Sequence, residues 1–170
     1  FLFRLRRWAA GKGLNEAVNY SFVGNKDLDN FGLPSEGRGC ILNPLTSEQD
    51  VLRTDLAPGL LNSLRQNVGG GIQSLHSFEL ARTFRQDAEA DTTVGEKNHL
   101  ALMLYGLRQE QAWPYPQEDL DYTDLKGLAE AFFEDFLHLP LPELVLEEDH
   151  PFLAPCVKLI LPQDSRDGGV

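Results

Sequence analysis

The order of strand-like and helix-like patterns along the chain constrains its fold more than any other feature. Residues 75–85 alternate apolar and polar side chains, and residues 99–107 are almost wholly apolar. Both stretches predict strands, the second of them central in a sheet and buried on both faces, and the polar stretch 86–98 predicts a loop. Because strands and helices do not alternate regularly, we predict an α+β fold with a mostly antiparallel sheet flanked by helices.

The other predicted elements follow from local periodicity and from breaker residues. The expected helices are residues 1–11, residues 25–31, a helix with Pro58 in its first turn and Thr54 or Asp55 as cap, and a helix capped by Thr123 or Asp124. Between the first two, Val18, Tyr20 and Phe22 alternate with other residues, which predicts a half-buried strand with these side chains inward. Further strands are expected at about 143–148 and 155–161. No internal repeat or second core pattern occurs, so we predict a single domain over residues 1–170.

Charge and composition exclude several classes of function. The net charge of −11 argues against this domain as a whole binding a nucleic-acid backbone. No apolar run reaches about eighteen residues, so no transmembrane helix is expected. Two cysteines, Cys40 and Cys156, cannot form a disulfide framework for a chain of this size, which favours free thiols and a reducing, intracellular compartment. Between Asp87 and Asp149 sixteen acidic residues face three basic ones, which indicates either a solvated acidic face or a surface for a basic partner.

The usual signatures of catalysis and metal binding are missing from the sequence. The glycines at 69–71 follow a helix pattern and lack the lysine of a phosphate-binding loop, and no G-x-S-x-G motif occurs. The histidines and cysteines lack the spacing of metal ligands. We therefore predict no catalytic residue and no metal ligand.

Two arginines within strand-like segments, Arg53 and Arg82, are more informative. An arginine held on a sheet can bind phosphate or carboxylate with two parallel hydrogen bonds. It can equally form a structural ion pair, and the sequence offers Glu79, Asp55 and Glu48 as partners. We favour the ion pair and keep the anion site as the alternative.

Four blocks of the sequence resemble one family. GLNEAVNYSF at residues 13–22 is similar to the "Gf-x-E-v-x-x-Y-S-F" opening of the catalytic-like module in the β subunit of bacterial phenylalanyl-tRNA synthetase. LNPLTSE at 42–48, continuing into VLRTDLAPGLL at 51–61, resembles its "L-N-P-x-S-x-E…l-R-T-s-L-l-P-G-L-L" signature. FELARTF at 78–84 is similar to "F-E-x-g-r-v-F", and YTDLKG at 122–127 to "D-F-x-D-l-K-G". The blocks occur in the family's order.

The resemblance implies a class II aminoacyl-tRNA synthetase-like fold and a fragment of a larger β subunit. In that family the α subunit charges tRNA(Phe) with phenylalanine using ATP and Mg²⁺, while this module is a degenerate, non-catalytic copy that supports an (αβ)₂ assembly. The resemblance therefore implies no cofactor within residues 1–170, an inactive isolated fragment and a cytoplasmic protein without a membrane partner. The expected partners are the α subunit, the rest of the β subunit and, through the whole enzyme, tRNA(Phe).

The resemblance also selects five candidate residues for a partner interface or a vestigial nucleotide site. They are Glu48, Arg53, Thr54, Pro58 and Arg82. The glycine-rich G-x-G-x-x-R strand that binds ATP in active class II enzymes is missing from the sequence, which favours the inactive interpretation. The family's "H-P-F-L-H-P-G-R-S-A" stretch is altered at residues 150–158, so contacts made by that loop are not carried over.

Two other functions stay open at this point. The first is a degenerate adenylating domain that binds ATP through Arg53 and Arg82. The second is a regulatory paralogue that binds an amino acid without charging tRNA. A module made for an obligate partner exposes apolar surface when it is alone, so we also expect some self-association.

Overall fold

The computed structural model describes residues 1–90, 92–109, 113–147, 150 and 156–161. The chain divides into two compact units, Phe1–Leu120 and Asp121–Val170. The assignment of residues 1–170 to a single domain stays a prediction. Most of the altered stretch at 150–158 lies outside the described residues. Within the described ranges, no helix is long and apolar enough to cross a bilayer.

Three α-helices belong to the first unit: α1 (Leu2–Gly11), α2 (Asn25–Asn30) and α3 (Ala57–Gly69). All three lie where the sequence predicts helices. In α1, Leu5 and Ala9 are buried, because residues four apart share one helix face. The first turn of α3 contains a buried Pro58, as predicted. The cap is Leu56, without a side-chain hydrogen bond, so the prediction of Thr54 or Asp55 as the cap is wrong. The Asp55 carboxylate does accept a hydrogen bond from the Ala57 N–H at 2.8 Å.

The main sheet has three strands in the order β1 (Asn15–Glu16), β4 (Leu75–Gln86) and β5 (Val94–Tyr105). β4 and β5 pair antiparallel from Leu75↔Tyr105 to Gln86↔Val94, and β1 pairs parallel with β4. β4 is therefore the central strand of this sheet.

The prediction that residues 99–107 form the central, doubly buried strand is wrong. β5 lies at the edge of the three-stranded sheet, and the side chains from Leu100 to Leu104 are only half-buried. β5 also begins earlier than expected, at Val94. The polar residues near its start pair with the end of β4, because the ladder consists of backbone hydrogen bonds that form with polar and apolar side chains alike.

A second, small ladder pairs β2 (Phe22–Val23) with β3 (Val51–Leu52), and Cys40 bridges to Val51. The prediction that Val18, Tyr20 and Phe22 face the core is wrong. They are 87%, 78% and 48% exposed, respectively. The intervening Asn19 points inward instead, because its amide has polar partners inside the unit.

The core of the first unit is formed by side chains from the helices and from β3 and β4. Its buried apolar residues are Leu5, Ala9, Leu14, Leu28, Val51, Leu56, Leu60 and Phe78. The alternation of residues 75–85 predicts burial of Phe78, Leu80 and Phe84; Phe78 is almost fully buried, and the other two are half-buried. The opposite face of β4 is also buried, but with polar residues, namely Ser77, Glu79 and Thr83. This polar face carries the candidate site described below.

The second unit contains α4 (Tyr122–Ala131), a π-helical turn (Phe132–Leu137) and a hairpin of β6 (Glu143–Glu147) and β7 (Cys156–Ile160). The cap of α4 is Asp121, two to three residues before the predicted positions. Asp121 and Asp124 each accept a backbone hydrogen bond across the first turn, and this reciprocal arrangement forms a capping box. In the π-helical turn Phe133 is the buried residue, whereas the helical spacing of the sequence predicts burial of Phe132, Phe136 and Leu137.

Candidate functional site

A buried ion pair connects β4 with the residue that follows β3. Arg53 is 5% exposed and Glu79 is 1% exposed. Arg53 Nη1 donates to Glu79 Oε1 at 2.6 Å, and Arg53 Nε donates to the Arg82 carbonyl at 2.9 Å. Two charges removed from water form a stable pair only when further hydrogen bonds satisfy their other polar atoms. The neighbours of Glu79 supply those bonds.

Asn19 occupies the second oxygen of the Glu79 carboxylate. Its Nδ2 donates to Glu79 Oε2 at 2.8 Å, and its backbone N–H donates to Oε1 at 3.4 Å. Its own Oδ1 accepts from Ser63 Oγ on α3 at 2.8 Å. The network of Arg53, Glu79, Asn19 and Ser63 therefore ties together β4, α3, the residue after β3 and the segment before β2.

The guanidinium of Arg53 is occupied by partners within the protein. Its guanidinium charge is offset by Glu79 at contact distance, so an incoming phosphate would have to compete with a buried carboxylate. Glu79 is one of the three partners that the sequence offers for these arginines. As a chemical arrangement, the network suits a structural crosslink and lacks an accessible nucleophile or base.

Arg82 does not join Arg53 through its side chain. It is an exposed side chain and pairs with Glu96 of β5 at 2.6 Å. Only its backbone carbonyl reaches Arg53. The two arginines thus do not converge on a common anion-sized space within the described structure.

The remaining candidates divide into buried and exposed positions. Thr54 and Pro58 are buried, so they support the fold from within. The Thr54 hydroxyl has no hydrogen-bond partner among the described residues. Glu48 is exposed and lies at the wall of a surface groove. The assignment of these residues to an interface or a vestigial nucleotide site stays a prediction.

The groove has a volume of about 910 Å³ and lies wholly on the first unit. One wall is the segment that contains the exposed Val18, Tyr20 and Phe22, and another is the stretch 47–49. The side chains of α3 that reach the groove include Arg65. Its surface therefore combines apolar side chains with charges of both signs.

Sequence reasoning missed the three exposed apolar residues of this groove. Alternation alone shows that Val18, Tyr20 and Phe22 share a face, but it does not say which face is inward. The signal that could have decided it is the intervening Asn19, a polar residue that needs buried partners if it points inward. The matching partner, Glu79, is sixty positions away and is brought close only by folding.

Comparison with known proteins identifies the family of this chain. Residues 1–168 match the family model described as the phenylalanyl tRNA synthetase beta chain CLM domain. The chain belongs to this family. The prediction drawn from the four sequence blocks is thereby confirmed.

Curated relatives agree with the family model. The chain is 52% identical over 157 residues to the phenylalanine–tRNA ligase beta subunit of Nitratidesulfovibrio vulgaris, covering 92% of this chain and 20% of that protein. It is also 52% identical over 159 residues to the same subunit of Oleidesulfovibrio alaskensis, covering 94% of this chain and 20% of that protein. The chain thus spans about a fifth of the length of these relatives.

A solved structure shows the same fold. Pyrrolysyl tRNA synthetase PylSc of Desulfitobacterium hafniense superposes with a TM-score of 0.57 at 18% identity, covering 87% of this chain and 49% of that one. The predicted α+β, class II aminoacyl-tRNA synthetase-like fold is therefore confirmed. At this identity the likeness concerns the fold alone.

Proposed function

We propose that this chain is a non-catalytic module that docks the catalytic α subunit of phenylalanyl-tRNA synthetase. The surface assigned to this role is the docking face, defined as Val18, Tyr20, Phe22, Glu48 and Arg65. All five line the groove of the first unit. The observation that carries the proposal is the exposure of Val18, Tyr20 and Phe22 side by side at this groove.

Exposed apolar side chains in one patch favour a macromolecular partner. Burial of apolar surface stabilises a complex by roughly 25 cal/mol per Å², and an exposed tyrosine at a groove is a frequent centre of binding energy. The charged Glu48 and Arg65 at the same groove can fix the orientation of a partner. The family to which the chain belongs names a β chain, and an α subunit is the natural occupant of such a face.

The non-catalytic part of the proposal is supported by the buried network. Class II chemistry needs an accessible cation for the triphosphate, whereas Arg53 is 5% exposed and bound to Glu79. Arg82 is exposed but pairs with Glu96 and lies apart from Arg53. In this proposal the α subunit uses ATP and Mg²⁺ to charge tRNA(Phe) within a cytoplasmic (αβ)₂ assembly, and the chain needs no cofactor.

The test is light-scattering chromatography of the chain alone and mixed with the α subunit, together with an ATP–pyrophosphate exchange assay. We expect a mixed species and no exchange by the chain alone. The variant Tyr20→Asp places a charge on the docking face and should abolish the mixed species. Tyr115→Asp is the matched control, because Tyr115 is also well exposed in the first unit but lies outside the groove.

Two results would contradict the proposal. If the wild-type chain forms no mixed species, the docking role is wrong. If the chain alone catalyses exchange, and Arg82→Ala removes that activity, it is instead an adenylating domain. Equal loss of the mixed species in Tyr20→Asp and Tyr115→Asp would move the contact away from the docking face.

A further inference from the structure

We infer that Asn19 is a positioning residue that holds the docking face in its outward conformation. The inference rests on the proposed function for its consequence in binding, but its structural basis is independent of it. Asn19 stands between Val18 and Tyr20, the two most exposed apolar residues of the docking face. Its side chain points in the opposite direction, into the buried ion-pair network.

The backbone couples these directions. In an extended segment successive side chains point to opposite sides, so an inward residue forces both neighbours outward. The segment is fastened at both ends, since the Ala17 N–H donates to the Phe78 carbonyl at 2.7 Å and the Arg53 N–H donates to the Ser21 carbonyl at 2.9 Å. Between these ends, exposed and half-buried side chains alternate from Val18 to Phe22. Without an inward anchor, burial of the apolar neighbours would be the favourable alternative. A one-residue change of register would bring that about.

Asn19 has the chemistry of such an anchor. An amide offers a donor and an acceptor at once, and here the donor meets Glu79 Oε2 and the acceptor meets Ser63 Oγ, both at 2.8 Å. Its backbone N–H also faces Glu79 Oε1 at 3.4 Å, and its carbonyl accepts from Arg53 Nη1 at 3.4 Å. A valine or aspartate at this position could not make both side-chain bonds to a carboxylate and a hydroxyl.

A close approach of α3 completes the anchor. A Cβ added to Gly59 would lie 3.2 Å from the Cβ of Asn19 and 3.3 Å from its amide nitrogen. The absence of a side chain at Gly59 therefore lets the helix close over the asparagine. Asn19 is therefore confined between Glu79 on one side and α3 on the other. This confinement fixes the orientation of its exposed neighbours, Val18 and Tyr20.

The binding test is a double-mutant cycle of Asn19→Ala and Tyr20→Ala, with affinity for the purified α subunit as the readout. We expect about a tenfold weakening from each single change, in the range of truncated interface residues. If Asn19 acts through the presentation of Tyr20, the double variant should bind about as weakly as Tyr20→Ala alone. Asn67→Ala is the control, since Asn67 on α3 also makes a side-chain hydrogen bond, to the Ser63 carbonyl, but lies outside the groove lining. Fully additive losses would overturn the inference.

A second measurement does not depend on the α subunit. Amide hydrogen exchange of residues 17–21 should accelerate at least about tenfold in Asn19→Ala, while the paired amides of β4 and β5 keep their wild-type rates. Gly59→Ala provides a milder variant in case Asn19→Ala does not fold, because it retains every hydrogen-bonding group and improves helix propensity. In Gly59→Ala, hydrogen exchange should accelerate at the amides of residues 17–21 and at no amide of β4 or β5. Unchanged exchange in both variants would overturn the inference, whereas faster exchange in a chain that does not bind the α subunit would overturn only the docking proposal.

Discussion

The guanidinium of Arg53 lies 2.6 Å from the carboxylate of Glu79, and both side chains are almost completely shielded from solvent. Arg53, which the sequence offers as a possible binding residue for an anion, is therefore neutralised by a carboxylate of the same chain. The same carboxylate also accepts a hydrogen bond from Asn19. One buried charge thus binds both Arg53 in the interior and the surface segment that follows β1.

Arg53→Ala should strongly destabilise the chain. It leaves Glu79 buried without its counter-charge, and removal of one member of a buried pair costs about 3–5 kcal/mol of unfolding free energy. Urea denaturation followed by circular dichroism measures this loss. Arg82→Ala is the control, since its pair with Glu96 is exposed and should contribute no more than about 1 kcal/mol. Similar losses from both substitutions would contradict the assignment of Arg53–Glu79 as the structural pair.

Two Gly→Ala substitutions should have opposite effects on stability. Gly106, after β5, has φ +84° and a Cβ there would lie 2.0 Å from the Gln73 carbonyl oxygen, so Gly106→Ala should destabilise by more than the about 1–2 kcal/mol of the left-handed conformation alone. Gly127 in α4 has nothing within 4 Å of an added Cβ, and Gly127→Ala should stabilise by about 0.5–1 kcal/mol. Thermal unfolding of both variants checks the prediction, and a destabilising Gly127→Ala would contradict it.

The cap of α4 should respond to acid through Asp121. The hydroxyl of Thr123 donates to its carboxylate, as does the Thr123 backbone N–H, and together they hold the pKa of Asp121 below its ordinary value of 3.8. Desolvation and the like charge of Asp124 act in the opposite direction, but more weakly. A lowered folded-state pKa means that the cap stabilises fully above the unfolded-state pKa. That contribution is lost as the pH falls through the folded value. The carboxyl-carbon NMR titration of Asp121 measures its pKa directly.

Thr123→Val isolates the largest cause of that lowered pKa. It removes the hydroxyl donor and keeps the branched shape of the side chain, so the pKa of Asp121 should rise towards its ordinary value. Thr123→Ser retains a hydroxyl and should keep the pKa low. An Asp121 titration that is the same in Thr123→Val and the wild type would show that the hydroxyl bond does not form.

The isolated chain should self-associate at high concentration. Besides Val18 and Tyr20, the loop residues Leu42 and Leu45 are more than nine-tenths exposed, and exposed apolar groups of this kind favour association. Sedimentation velocity over a range of concentrations measures it. Tyr20→Asp should shift the population towards monomer more than Tyr115→Asp does. A sharp monomer at all concentrations would contradict the expectation.

Much of the secondary structure could be predicted from the sequence because helix and strand signals are local. The periodicity of α1 and α3, the proline at the start of α3 and the glycines after it marked those helices with little error. The hairpin of β4 and β5 also follows from its residues, although its turn is shorter than the polar stretch suggested. These features depend on neighbours within a few positions.

The misjudged features depend on distant residues or on small departures from ideal geometry. The edge position of β5 depends on which strands pair, and residue 78 pairs with Leu102 on one side and Glu16 on the other. The burial of Phe133 follows from a π-helical turn, which shifts the helix face relative to the ordinary period. The burial of the candidate residues Thr54 and Pro58 also depends on the tertiary structure.

The sequence by itself determined the family, the α+β class and most element positions, because family blocks, periodicity and breakers are written in adjacent residues. Tertiary structure alone decided that Arg53 is neutralised by Glu79, that Arg82 is left outside, and that Val18 and Tyr20 face solvent. The physical reason is the buried polar network. Asn19 turns inward only because Glu79 and Ser63, far away in the chain, satisfy its amide there, and its inward turn sends its apolar neighbours to the surface.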